Sequence, residues 1–163
     1  MNIAIIGLGM VALSDALSLA RNHRVTLTGP VPDTVDAIRA GRVPLADPGL
    51  DAYCSAHALD LHATLDTEAA IAGAQMVLIA VPLSSDLPEE TLTVELESRI
   101  EFVHHRCPGV PIVIRSAVPV GFTERMRRTL GSTQIICAPE FRRVGQALQD
   151  ALHPDFLIVG DRG

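Results

Sequence analysis

Positive charge is in short supply. Thirteen Lys and Arg face 19 Asp and Glu among 163 residues, a formal charge of −6. That leaves no basic field to draw in nucleic acid or an anionic membrane surface. Cysteine is scarce as well: Cys54, Cys107 and Cys137 are odd in number and form no C-x-x-C pair. A disulfide framework or a zinc site is thereby disfavoured, and a reducing cytoplasm is the expected setting. Long apolar runs are missing, and none approaches the ~20 residues that a membrane span requires. The N-terminus passes from Met1-Asn2 directly into Ile3-Ala4-Ile5-Ile6-Gly7, without the basic start and extended apolar stretch of a signal peptide. With 12 Gly and 11 Pro, the chain is too poor in both for a fibrous protein.

What is present is aliphatic. Hydrophobic residues make up 48% of the sequence, far too much for disorder. The length suits one domain spanning residues 1–163, able to bury roughly two-thirds of its unfolded surface. Short runs rich in Ile and Val recur along it: Ile3–Ile6, Val25–Leu27, Met76–Val81, Pro111–Ile114, Gln134–Cys137 and Phe156–Val159. Runs that are apolar throughout suit strands covered on both faces, as in a parallel sheet. Between them lie segments of helical period at Met10–Asn22, Asp66–Ala72, Leu92–His105, Gly121–Leu130 and Val144–Leu152. In Leu92–His105 the residues Leu96, Ile100 and Val103 fall at i, i+4 and i+7, with Glu95, Glu97, Arg99 and Glu101 elsewhere. Alternating strand and helix predicts a doubly wound α/β domain with right-handed crossovers. Ligands in such a domain sit past the carboxyl ends of strands, where Pro82–Glu90 is the expected irregular loop.

The first strand leads into Gly7-Leu8-Gly9-Met10-Val11-Ala12, a G-x-G-x-x-A form of the dinucleotide fingerprint. Gly7 permits a tight turn, Gly9 lets a pyrophosphate approach the backbone, and Ala12 lets the helix lie close on the sheet. The helix N-terminus then faces the phosphates. The same fingerprint wants a carboxylate about 20 residues on, at the end of the second strand, to accept the ribose hydroxyls. That strand reads Val25-Thr26-Leu27-Thr28-Gly29-Pro30, and Asp33 comes four residues late. A preference for a 2′-phosphate would call for a basic residue beside Gly29, yet the nearest are Arg24 and Arg39.

Several longer stretches converge. Ile5 through Ser14, Asp47-Pro48-Gly49-Leu50, Ile114 through Thr123, and Ala138-Pro139-Glu140-Phe141-Arg142-Arg143-Val144-Gly145 with Leu152-His153-Pro154 resemble the UDP-glucose/GDP-mannose dehydrogenase family. The resemblance spans essentially the whole chain. It implies a Rossmann-type, doubly wound α/β fold, with a mainly parallel sheet and helices on both faces. Enzymes of that family oxidise the C6 alcohol of a nucleotide sugar in two NAD-dependent steps, carrying the intermediate on a cysteine. Only the NAD-binding amino-terminal domain is matched here. The dimerisation helix, the nucleophilic cysteine and the UDP-binding domain have no counterpart, and none of the three cysteines sits in a matching motif.

The resemblance further implies cofactor contacts at Gly7, Gly9, Met10, Val11, Pro82 and Ser116, and a catalytic role for Glu140 in activating a water. Elsewhere the polar positions of the family are replaced. Gly29 stands for the ribose-binding Asp, Thr34 for a basic residue, Leu83 and Ala117 for threonines, and Val144 for a second glutamate. The expectation is therefore NAD as cofactor with weak or lost affinity, and no dehydrogenase activity from this chain alone. Glu140 also reads as a cap for a helix starting near Phe141. His104-His105 are neighbours on one helix and point about 100° apart, so they share no metal, and no metal site is expected. Arg125, Arg127 and Arg128 read as a solvated basic face. Three functions stay open: the cofactor half of a split UDP-sugar dehydrogenase, a catalytically silent module binding a nucleotide or nucleotide sugar, and a surface for self-association or a partner protein.

Overall fold

The computed structural model of the chain describes residues 1–81 and 93–160. In chain order its elements are β1 (Asn2–Ile6), α1 (Met10–Leu19), β2 (Arg24–Thr28), α2 (Pro32–Arg39), α3 (Leu50–Ala56), β3 (Leu61–Thr64), α4 (Thr67–Ile71), β4 (Met76–Ile79), α5 (Val94–Arg106), β5 (Ile112–Ile114), α6 (Phe122–Leu130), β6 (Ile135–Cys137) and α7 (Ala147–Leu152). The strands form one sheet in the order β3-β2-β1-β4-β5-β6, and every strand pair is parallel. The order reverses between β1 and β4, where Ile6 lies beside Thr28 on one side and Ile79 on the other. Such a reversal leaves a crevice beyond the strand ends, the place for a ligand in an open α/β sheet. This is the Rossmann-type, doubly wound arrangement that the alternation of runs and helical segments predicts.

Burial explains why the central strands read as unbroken apolar runs. Ala4 and Ile6 pack with Val77 and Ile79 against Leu96, Ile100, Phe122 and Met126 on one face. On the other face Ile3 and Ile5 meet Ala12, Leu13 and Ala16. Both faces are covered, so both sets of alternating side chains must be aliphatic. Each fully buried Ile or Leu contributes about 1.5–3 kcal/mol relative to exposure.

Local chemistry sets the helix ends. Asp66 caps α4, its Oδ1 accepting from the Ala69 N–H at 3.1 Å. Pro32 opens α2, where a missing N–H costs nothing. Gly131 closes α6 in the left-handed conformation.

Three expectations need correction. Phe156–Val159 is not a strand: the four side chains are 48–66% exposed, and only Gly160 makes a bridge, antiparallel, to Cys137. The sixth strand is instead Leu61–Thr64, an edge strand with a single buried residue, Ala63, which lacks the apolar run of the central strands. No helix starts near Phe141; α7 begins at Ala147, so the capping role for Glu140 fails. Helix α3 falls where the Ala-rich stretch around Cys54 and the Pro-Gly-Leu ahead of it predict a helix, whereas α2 has no such signal, because Pro30, Pro32 and Asp33 interrupt its apolar residues. The expected loop at Pro82–Glu90 lies outside the described residues.

Candidate functional site

At the crevice, Gly7 holds φ +135°, and an added Cβ would stand 2.3 Å from the Ala80 carbonyl oxygen. Only glycine fits there. The Gly7 N–H donates to Thr28 O at 2.8 Å, and the Ala80 N–H to Ile6 O at 2.9 Å, so the turn is fastened to both β2 and β4. Gly9 then serves as N-cap of α1. No side chain caps that end, and its first turn, with Met10 and Val11, carries no acidic residue. Uncapped N–H groups and the positive dipole end suit an anion such as a pyrophosphate.

The end of β2 is different. Thr28 is fully buried, its hydroxyl 3.3 Å from that of Thr67. Beyond it, a Cβ on Gly29 would meet Leu8 Cγ at 2.8 Å and Cδ1 at 2.9 Å. Leu8 itself packs against the aliphatic cluster beneath α1. The β2 end thus offers neither the carboxylate nor, with Leu8 in place, the room for one. Of the nearest basic residues, Arg24 opens β2 at its far end. Arg39 donates through Nε to Ala63 O at 3.0 Å and pairs with Asp36 at 3.5 Å. The glycine turn therefore fits the phosphates of a dinucleotide, and the β2 end does not fit the diol of its ribose.

Past β5 and β6 lies a cluster that the sequence reading did not single out. Asp15 on α1, Arg115 and Arg142 have side chains only 8–9% exposed. Arg115 donates to Asp15 through Nε at 2.9 Å and Nη2 at 3.4 Å, and through Nη1 to Ala138 O at 2.6 Å. Arg142 also bonds Asp15, and its Nη1 donates to Val11 O at 2.9 Å and Ser14 Oγ at 2.6 Å. Glu140 closes the set. Its Oε2 accepts from the Arg142 N–H at 2.9 Å and lies 3.7 Å from Arg142 Nε. Two guanidinium groups and two carboxylates balance one another, which is how buried charge is tolerated. All 13 basic residues of the chain are arginines, whose planar fork suits such multiple bonding. The one signal available was Asp15 itself, a carboxylate inside an otherwise small and aliphatic helix.

Val11 and Glu140 are thus joined through Arg142. Ser116, 8% exposed, donates its hydroxyl to Val81 O at 2.8 Å and ties β5 to β4 at the crevice. Pro82 lies outside the described residues. Ala117 is exposed and Val144 is 89% exposed, so neither adds a polar group beside Glu140.

Burial pushes the Cys54 and Cys107 thiols up, away from nucleophilic thiolates. Among the described residues no group of three His, Cys, Asp or Glu is placed to hold a metal. The arginines of α6 do not act together. Arg125 donates to Glu97 at 2.7 Å, whereas Arg127 is buried and donates to Ile135 O at 2.6 Å.

On the α1 side of β4–β6, Met76, Leu78, Val113 and Ile136 floor an apolar groove of about 540 Å³, with Phe156 and Leu157 in its wall and Asp15, Arg115 and Arg142 at its polar end. No helix among the described residues is long and apolar enough to cross a membrane.

Residues 1–163 match the family model described as the UDP-glucose/GDP-mannose dehydrogenase family, NAD binding domain. The chain is 33% identical over 161 residues to a UDP-glucose 6-dehydrogenase of Streptococcus pneumoniae, covering 98% of this chain and 41% of that protein. Among solved structures, a UDP-glucose dehydrogenase of Pyrobaculum islandicum superposes with a TM-score of 0.80 at 27% identity, over 97% of this chain and 40% of that one. A UDP-D-ManNAc dehydrogenase of Pyrococcus horikoshii does so with a TM-score of 0.80 at 27% identity, over 98% and 41%. The chain thus spans about two-fifths of the length of these relatives.

Proposed function

Since the chain belongs to the UDP-glucose/GDP-mannose dehydrogenase family and corresponds to its NAD-binding domain, we propose that it is the cofactor-binding part of a nucleotide-sugar dehydrogenase whose grip on NAD is weakened. The observation that carries this reading is the contrast between the two glycines of the crevice. Gly7 keeps the turn that suits a pyrophosphate, while Gly29, covered by Leu8, leaves the ribose hydroxyls without their charged acceptor. Losing such an acceptor costs about 1.5–3 kcal/mol, or about ten- to a hundredfold in affinity.

NAD, when bound, supplies a hydride acceptor; the chain's own part is to seat the phosphates and bring the Glu140 segment to the crevice. Glu140 is the candidate general base for a water in the hydrolytic half of a C6 oxidation. Ala117 and Val144 bring no polar group that could help hold that water. The chain by itself is accordingly inactive, and turnover needs a polypeptide that carries the nucleophilic cysteine and the sugar-nucleotide site. Calorimetry of the whole chain with NAD tests the reading. Measurable binding weaker than about 100 μM, or about −5.5 kcal/mol, is expected; a dissociation constant in the low micromolar range overturns the weakening, and no binding at all overturns the cofactor-binding role.

A second reading rests on a separate observation. The apolar groove and the exposed Phe156, Leu157, Ile158 and Val159 beside it suit contact with another polypeptide surface better than contact with water. Sedimentation across a concentration series tests self-association. A strictly monomeric chain at every concentration removes that form of the reading.

A further inference from the structure

We propose that Leu8 and Gly29 together set nucleotide specificity at the end of β2, and that they leave the site indifferent to the 2′ substituent of the adenosine ribose, so that NAD and NADP bind alike. The inference rests on the reading of the domain as dinucleotide-binding and adds which dinucleotides it accepts. A carboxylate at this position does two things: it accepts the 2′ and 3′ hydroxyls of NAD, and it repels the 2′-phosphate of NADP. Gly29 does neither.

Leu8 occupies the place where the carboxylate would stand. Its Cγ and Cδ1 lie 2.8 and 2.9 Å from the place of a Gly29 Cβ, so the surface offered there is aliphatic. A methyl group makes no hydrogen bond to a hydroxyl and no ion pair with a phosphate. The opposite preference would need a guanidinium free to meet the phosphate. Among the described residues, Arg39 is engaged by Ala63 O and Asp36, and Arg24 stands at the other end of β2. Specificity is a difference of two affinities. At the Gly29 position neither ligand gains a contact that the other lacks.

Calorimetry on the full 163-residue chain, with NAD and NADP titrated separately at equal ionic strength, reads the ratio directly. The two dissociation constants are expected within about threefold of each other. In the double variant Leu8→Ser, Gly29→Asp, NAD should bind about tenfold more tightly and NADP about tenfold more weakly. Gly29→Asp alone should gain less than the double variant, because Leu8 must first move aside for its Cβ. Leu8→Ser alone, the milder change should the double variant fail to fold, should leave the ratio near one.

A wild-type preference of tenfold or more for either dinucleotide overturns the inference while leaving the dinucleotide reading intact. An unchanged ratio in a folded double variant overturns it too. If neither dinucleotide binds either protein, the dinucleotide reading itself fails and takes the specificity inference with it.

Discussion

Gly7 and Gly29 stand at the ends of neighbouring strands, and a Cβ on either would collide, but with different partners. At Gly7 the obstacle is the Ala80 carbonyl, 2.3 Å away, and the backbone is left-handed. Neither feature can give way without moving β4. At Gly29 the obstacle is the side chain of Leu8, which a rotamer change or a smaller residue removes. The first glycine is demanded by the skeleton, the second only by its neighbour. A nucleotide fold can therefore keep its phosphate turn unchanged while a leucine covers the place of a side chain at the end of β2.

The sharpest way to break this comparison is to damage the skeleton itself. Asp15→Leu leaves the Arg115 and Arg142 guanidinium groups without their shared carboxylate. It should destabilise the fold by about 3–5 kcal/mol in denaturant unfolding, the usual cost of stranding a buried charge. Joining it to Arg142→Leu should recover part of that loss; a double variant no better than the single one would mean that the pair is not coupled.

Next in size is Gly7→Ala, expected to cost about 2–4 kcal/mol by the same measurement, from the positive φ and the contact with Ala80. Gly29→Ala should cost about 1 kcal/mol or less, because Leu8 can move aside. Equal losses at the two glycines would erase the distinction drawn between them.

The smallest effect concerns pH. Arg143 bonds the Asp150 carboxylate through its side chain and its N–H and pulls its pKa down to about 2. A depressed carboxylate contributes stability above its ordinary value and loses it as pH falls through the folded one. The melting temperature should thus drop modestly between about pH 4 and pH 2 by more than in Asp150→Asn. Identical acid profiles would show that the pair contributes nothing.

Legibility in the sequence followed the environment of each segment. β1 could be read because both its faces are covered, and β4, β5 and β6 because one face is buried while the other, with Met76, Val113 and Ile136 half-buried, stays aliphatic along the groove. β3, at the edge with one buried residue, left no such trace. Phe156–Val159 imitated a buried strand because an apolar run records only that the side chains avoid water, not what covers them. At the site, Gly7, Gly9 and the missing carboxylate at Gly29 were visible through their spacing, since turn and helix N-terminus are local events. Leu8 over Gly29 was not, for those residues meet only when β1 and β2 lie side by side. The Asp15–Arg142 contact joins residues 127 apart, a distance that no periodicity carries.

Local sequence by itself determined the alternation of strands and helices, the tight glycine turn, the uncapped N-terminus of α1 and the absence of an acid after β2. These depend on backbone freedom and on hydrophobic period, both properties of neighbouring residues. Only the tertiary structure decided that a leucine lies over Gly29, that two arginines share one aspartate beside Glu140, and that the last apolar run stays in solvent. Those outcomes turn on distances between segments far apart in the chain, which exist once the sheet has assembled.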